Sequence, residues 1–123
     1  MTIYVFGNPD LPQDSLPLKI LPQLRQKFPQ ITFEVKDPNE EWDVPEELTV
    51  IDTVQGINQV EIFHDLSKFQ TSPRISLHDF DALSQLLLLK KIGKLKKVTV
   101  IGVPPDLTSD QATAEITTKL QTI

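Results

Sequence analysis

Five short apolar runs, each stopped by turn-forming residues, decide what this chain can become. Thr2–Phe6, Ile31–Val35, Leu48–Asp52, Val60–Phe63 and Val98–Val103 are rich in β-branched and aromatic residues, the composition of strands. The intervening stretches change period. Leu16, Ile20, Leu21, Leu24 and Phe28 recur at helical spacing, as do Phe80, Leu83, Leu86, Leu87 and Leu89, and Ser109–Leu120 reads as a last helix. Strands alternating with helices predict an α/β fold. The expected form is a three-layer sandwich: a five-stranded, mostly parallel sheet with one antiparallel strand and helices on both faces. Only the short turn Gln55-Gly56-Ile57-Asn58-Gln59 joins the third and fourth runs. A parallel crossover needs a longer connection, so the fourth strand is the antiparallel one. With 123 residues the chain is expected to form one domain, 1–123, around one core.

Local signals set the boundaries. Gly7-Asn8-Pro9-Asp10 stops the first strand. Asp14 or Ser15 is placed to cap the first helix, and Pro17 is tolerated in its first turn. Pro22 lies inside the helical pattern, which predicts a kink or a late start, and Pro29 ends it. Asp37–Glu47, acidic and holding Pro38, Trp42 and Pro45, reads as a loop, as does Asp65–Arg74. Ser76 and Asp79 have capping-box spacing ahead of a helix over Phe80–Ile92, and Gly93 is its stop.

Composition excludes several classes of function. Hydrophobic residues are 39% and charged residues 24% of the chain, so it folds rather than staying disordered. A net charge of −5 argues against nucleic-acid binding, which needs a basic face. No apolar run is long enough to span a membrane. Met1–Phe6 reads as a strand rather than a signal peptide, so the expected location is cytoplasmic. Cysteine is absent, which removes disulfides, thiolate metal sites and a cysteine nucleophile together. No serine stands in a nucleophile elbow, and Gly7-Asn8-Pro9-Asp10 lacks the glycines of a dinucleotide or phosphate loop. A phospho-receiver domain would want an acidic pair after strand one and a lysine after strand five. This chain has Gly7-Asn8 and Gly102-Val103-Pro104 there.

Three polar residues remain where apolar segments give out: Asp14 beyond the first strand, Asp52 ending the third, and His78 just before the long apolar helix. In open α/β sheets, ligands bind beyond the carboxyl ends of the strands. The helix holding His78 must run back before strand five can lie parallel, so His78 starts at that same edge. Taken singly, Asp14 reads equally as a helix cap, Asp52 as a solvated strand end and His78 as a solvated helix start. Together they form an Asp/Asp/His set suited to a divalent metal. Nickel, zinc, manganese and iron(II) all accept such donors. Lys90, Lys91, Lys94, Lys96 and Lys97 gather near a helix end, where positive charge suits the dipole. His64 reads as a strand-end residue, and Trp42 as either a cap on the core or a contact for a substrate peptide.

These residues resemble the motifs of the nickel–iron hydrogenase maturation endopeptidases. Gly7-Asn8, Leu11 and Asp14 are similar to that family's N-terminal motif. Val50-Ile51-Asp52-Thr53-Val54 resembles its strand ending in a metal-binding Asp, and Ser76-Leu77-His78 its Ser-x-His segment. Val100-Ile101-Gly102-Val103-Pro104-Pro105 is similar to its closing strand and turn. The ordered set spans most of the chain. The resemblance implies Asp14, Asp52 and His78 as metal ligands, with Asp37 matching a further family carboxylate. It implies catalytic roles for Asp14, Asp37 and Asp52. The implied cofactor is a divalent metal, nickel first, with the precursor's own nickel sensed by these ligands. The partner is a hydrogenase large-subunit precursor, whose C-terminal extension is removed, and the protein is expected to act as a monomer. Departures fall at Gln13, where the family has an acid, at Pro17, where it has glycine, and at Pro38-Asn39, where it has a glycine pair. The segment around Trp42 is shorter than the family's helix. The competing expectation is a relative without peptidase action that binds a metal or a partner.

Overall fold

The computed structural model describes residues 1–36, 45–64, 88, 89, 91 and 93–122. Its strands are β1 (Thr2–Val5), β2 (Thr32–Val35), β3 (Glu47–Thr53), β4 (Glu61–Phe63) and β5 (Lys97–Val103). A 3-10 turn over Pro12–Asp14 leads into helices α1 (Leu16–Lys19) and α2 (Leu21–Lys27), and Ser109–Leu120 forms α3. The strands make one sheet in the order β2-β1-β3-β5-β4. β1 pairs parallel with β2 and with β3, and β3 pairs parallel with β5 over seven residues, Glu47↔Lys97 to Thr53↔Val103. β4 alone runs antiparallel. The expected α/β architecture is the one observed.

Side-chain alternation along the strands builds two cores. Tyr4, Phe6, Leu48, Val50, Val54, Phe63, Val98 and Val100 pack on one face, joined by Leu89 and Leu95. Ile3, Val5, Ile51, Ile101 and Val103 pack on the other, under Leu16, Ile20 and Leu24 of the first helices and Ala112, Ile116 and Leu120 of α3. The central strands are therefore apolar on both sides, as parallel strands in a covered sheet must be. α3 begins with a capping box. Thr108 Oγ1 accepts from the Gln111 amide at 3.1 Å, and Gln111 Oε1 accepts from the Thr108 amide at 3.0 Å. The helix is tied to its neighbours by Thr113 Oγ1 donating to Gln23 Oε1 at 2.8 Å and by the Val60 amide donating to Glu115 Oε1 at 2.9 Å.

Two details differ from the sequence reading. The first helix is two helices, each with a proline in its first turn, broken at Ile20. Pro22 has no N–H to offer the Leu18 carbonyl, so one continuous helix would leave that bond unmade. The fourth strand has the expected direction, but its neighbour is β5 rather than β3. Residues Val98–Val103 are buried throughout, which suits them to a position between two strands. The three-residue β4 is left at the edge, where short strands are tolerated. Of the helix expected over Phe80–Ile92, the described residues Leu88, Leu89 and Lys91 are helical. Gly93 follows at φ 82°, a left-handed stop that glycine adopts without strain. The Ser76/Asp79 cap lies outside the described residues.

Gly102 shows how tightly the first face is packed. A Cβ there would stand 2.9 Å from Val54 Cγ2 and 3.0 Å from Phe63 Cε2. Both neighbours are buried, so neither has open space to retreat into. Gly102→Ala should therefore cost about 1–3 kcal/mol, read as a lowered midpoint in urea unfolding. An unchanged midpoint would contradict this packing.

Candidate functional site

The strand order fixes where a ligand would sit. From β1 the chain moves outward to β2. From β3 it moves the other way to β5. Crossovers in opposite directions place their helices on opposite faces. α1 and α2 accordingly pack on the second face, while helical Leu89 packs on the first. The crevice between diverging connections opens at the carboxyl ends of β1 and β3, the point where open α/β sheets bind ligands. Asp14 follows β1, and Asp52 lies in the last turn of the β3 ladder.

Asp14 is held by its backbone. The Asn8 amide donates to the Asp14 carbonyl at 2.9 Å, the Asp14 amide to the Leu11 carbonyl at 2.9 Å, and the Leu11 amide to the Asn8 carbonyl at 3.2 Å. Asn8 Oδ1 also accepts from the Asp10 amide at 2.9 Å. These bonds fold residues 8–14 back over the end of β1. The fold-back needs Gly7, because a Cβ there would lie 3.0 Å from the Asp14 carbonyl oxygen and 3.1 Å from Leu18 Cγ. Ser15, not Asp14, is the N-cap of α1, and it makes no side-chain cap bond. Ser15 Oγ donates instead to the Pro12 carbonyl at 3.1 Å. Asp14 is therefore not the N-cap of α1, and it is half-buried.

Asp52 is 1% exposed, which removes the alternative of a solvated strand end. Alternation puts it on the face of Leu48 and Val50. Val5 pairs with Ile51, so the next residue, Phe6, lies beside Asp52 on β1. Gly102 is its partner on β5, and beyond Gly102 in the same row comes Glu61 at the start of β4. Val54 and Phe63 close over Gly102, so Asp52 has apolar neighbours on both sides. Its Oδ1 accepts from the Thr53 amide at 2.8 Å, which orients the carboxylate. A carboxylate this buried is costly unless hydrogen bonds or a cation compensate.

Two expected site residues, Asp37 and His78, lie outside the described residues, as do Trp42 and Pro38-Asn39. Among the described residues no three His, Asp or Glu side chains gather closely enough to hold a metal ion. Asp14 and Asp52 are thus at most two ligands of a set. His64 is exposed at the far end of β4, which runs towards the amino edge of the parallel strands. It lies away from Asp52. Lys96 and Lys97 also lie at that amino edge, their amides bonded to the Glu46 carbonyl, and Lys96 pairs with Glu46 at 3.5 Å across solvent.

The sequence reading missed Gly7 as the residue that admits the Asp14 turn. It also missed a cavity of about 440 Å³ at the same edge, lined in part by Gln13, Gln55 and Asp106. Convergence of the loops after β1, β3 and β5 was the available signal.

No protein-family model matches the chain, and no curated protein matches its sequence. Solved structures do match its fold. The hydrogenase maturating endopeptidase HybD from E. coli superposes with a TM-score of 0.60 at 21% identity, covering 99% of this chain and 89% of that one. A hydrogenase 3 maturation protease gives a TM-score of 0.60 at 17% identity, covering 98% and 88%. An endopeptidase from Escherichia coli, solved in solution, gives 0.59 at 19% identity, covering 99% and 89%. The chain thus has the α/β fold of the hydrogenase maturation endopeptidases over nearly its whole length.

Gly7→Ala tests how Asp14 is held. The methyl would meet a backbone carbonyl, which has no rotamer to escape into. We expect a loss of about 1–3 kcal/mol and shifted amide resonances at Asn8 and Asp14. Wild-type stability together with unshifted resonances would mean that the turn does not depend on this glycine.

Proposed function

We propose that this protein is a peptidase of hydrogenase maturation. It removes the C-terminal extension of a nickel–iron hydrogenase large-subunit precursor and recognises the precursor's nickel through Asp14, Asp52 and His78. The observation that carries this reading is the placement of Asp52 in β3 and of Asp14 in the turn after β1, the two strands that flank the switch point. They sit there in a fold shared along its length with hydrogenase maturation endopeptidases. Asp52 is a buried carboxylate and Asp14 a half-buried one. Two hard oxygen donors and an imidazole fit a divalent ion.

The sequence expectation that the segment after His78 runs back from the carboxyl edge before β5, the edge at which β3 ends with Asp52 next to last, supports His78 as the third ligand.

Each side chain then has a task. The Thr53 amide holds the Asp52 carboxylate in one orientation, and the apolar neighbours limit water around it. Asp14 completes the oxygen donors from the hydrogen-bonded turn after β1. His78 ligates only as neutral imidazole. Asp37 is assigned the part of a supporting carboxylate or a proton carrier. When bound, a divalent ion at this position supplies Lewis acidity towards a peptide carbonyl. The protein works in the cytoplasm as a monomer. Among the described residues no helix is long and apolar enough to cross a membrane.

Incubation with nickel-loaded precursor, followed by mass spectrometry, tests the reading. The expected result is loss of the C-terminal extension, abolished in Asp52→Asn and His78→Ala. An intact precursor, beside a control peptidase that cleaves it, would leave a non-enzymatic metal- or partner-binding protein instead. Calorimetric titration tests the ligands. Protonated imidazole cannot ligate, so affinity for nickel should fall as pH drops below about 6.5, by roughly tenfold per unit. A His78→Ala variant with wild-type affinity would remove that residue from the site.

A further inference from the structure

The cavity beside the two carboxylates is built by three loops, each following one of the parallel strands. Pro12 and Gln13 come from the turn after β1, Gln55 and Ile57 from the turn after β3, and Pro105 and Asp106 from the turn after β5. Gln13 immediately precedes Asp14, and Gln55 lies three residues beyond Asp52. The turn after β3 is shaped by Gly56, whose φ of 88° is one that other residues adopt only with strain. At about 440 Å³ the cavity falls within the size range of true ligand sites.

Its chemistry is unusual for a pocket next to a metal-type site. Among the described lining residues there is no basic group, so nothing there suits a phosphate or other anion. Gln13 and Gln55, from separate loops, bring two carboxamides to the lining. Each offers one acceptor oxygen and two N–H donors, the same groups that a peptide main chain presents in reverse. The prolines have no N–H to compete and offer flat apolar walls, as does Ile57. Asp106 is the one formal charge among these residues. A carboxylate in the lining disfavours an acidic occupant and favours a cationic one.

We propose that this cavity is a subsite for an extended peptide segment of neutral or basic sequence. Gln13 and Gln55 read its main chain, and Asp106 selects against acidic side chains. The proposal rests on the peptidase reading of the adjacent carboxylates and adds where and how the substrate chain is held. Specificity here comes mostly from backbone hydrogen bonds, so many side chains are tolerated and a negative charge is not.

The probe is a synthetic peptide spanning the cleaved junction of the large-subunit precursor. It is made as such, with a central Lys, with a central Glu, and with N-methylated main-chain amides. Titration is followed by NMR at the side-chain amides of Gln13 and Gln55. The peptide should shift both signals, and N-methylation should abolish the shifts. The Lys form should bind up to about fivefold more tightly than the Glu form, the range of an exposed ion pair. Asp106→Asn should erase that difference. Gln13→Ala and Gln55→Ala should each weaken binding about two- to tenfold, as expected for one lost hydrogen bond. All three residues are exposed, and such substitutions rarely disturb folding. Unshifted glutamine signals, equal binding of the Lys and Glu forms, or indifference to N-methylation would overturn the subsite. The two readings fail separately. Peptide binding without precursor cleavage keeps the subsite and removes the peptidase. Cleavage with unchanged KM in the Gln13→Ala, Gln55→Ala double variant keeps the peptidase and removes the subsite.

Discussion

The parallel pairing of β3 between β1 and β5 governs everything else in this molecule. Because the three strands run the same way in fixed register, their carboxyl ends share one edge. The loops after them must converge there, whatever their sequence. Reversing one of these strands would send its following loop to the opposite edge and scatter the candidate site. The pairing is secured by burial on both faces. Ile3, Val5, Val50, Ile51, Val100 and Ile101 are fully buried, and a one-residue slip would exchange their two faces. At the end of this apolar ladder the chain places Asp52. A charge in that position is the main departure from what packing alone would choose, and such departures mark function.

The pattern of strand and helix periods carried most of this architecture. Val98–Val103 and Leu48–Asp52 are continuous apolar runs, so their identity as central parallel strands was readable. The shortness of Gln55–Gln59 was enough to reverse the fourth strand. Its pairing with β5 was not readable, because strand order depends on which neighbour buries more surface, and no local signal reports that. Pro22 announced a disturbed helix, but whether the chain kinks or starts afresh depends on how Ile20, Leu21 and Leu24 reach the second core. That the residues after β1 and at the end of β3 share one edge could be inferred from topology alone. The role of Gly7 could not, because the close approach of the Asp14 carbonyl is a contact between segments. The cavity lined by Gln13 and Gln55 escaped notice for the same reason, since glutamine in a turn is normally solvated surface.

Fold and chemistry are separable here. The same sheet with the same switch point supports many activities, and function lies in the groups placed at the edge. Asp14 follows β1 and Asp52 lies next to last in β3 at that edge. Gln13 replaces a carboxylate with a carboxamide at the wall of the cavity. That change moves the local chemistry from cation binding towards hydrogen bonding with a neutral chain. It alters what the edge would hold while leaving Asp14 and Asp52 in the chain. Substrate choice and metal recognition can therefore diverge in this fold without a change in its core.

The central claim is that residues distant in sequence meet at one ion. Crystals grown with nickel, with anomalous differences recorded at the nickel edge, examine it directly. The expected result is one strong peak bounded by Asp14, Asp52 and His78, with ligand distances of about 2 Å. A peak held by other residues, or His78 standing at the opposite edge of the sheet from Asp52, would contradict it.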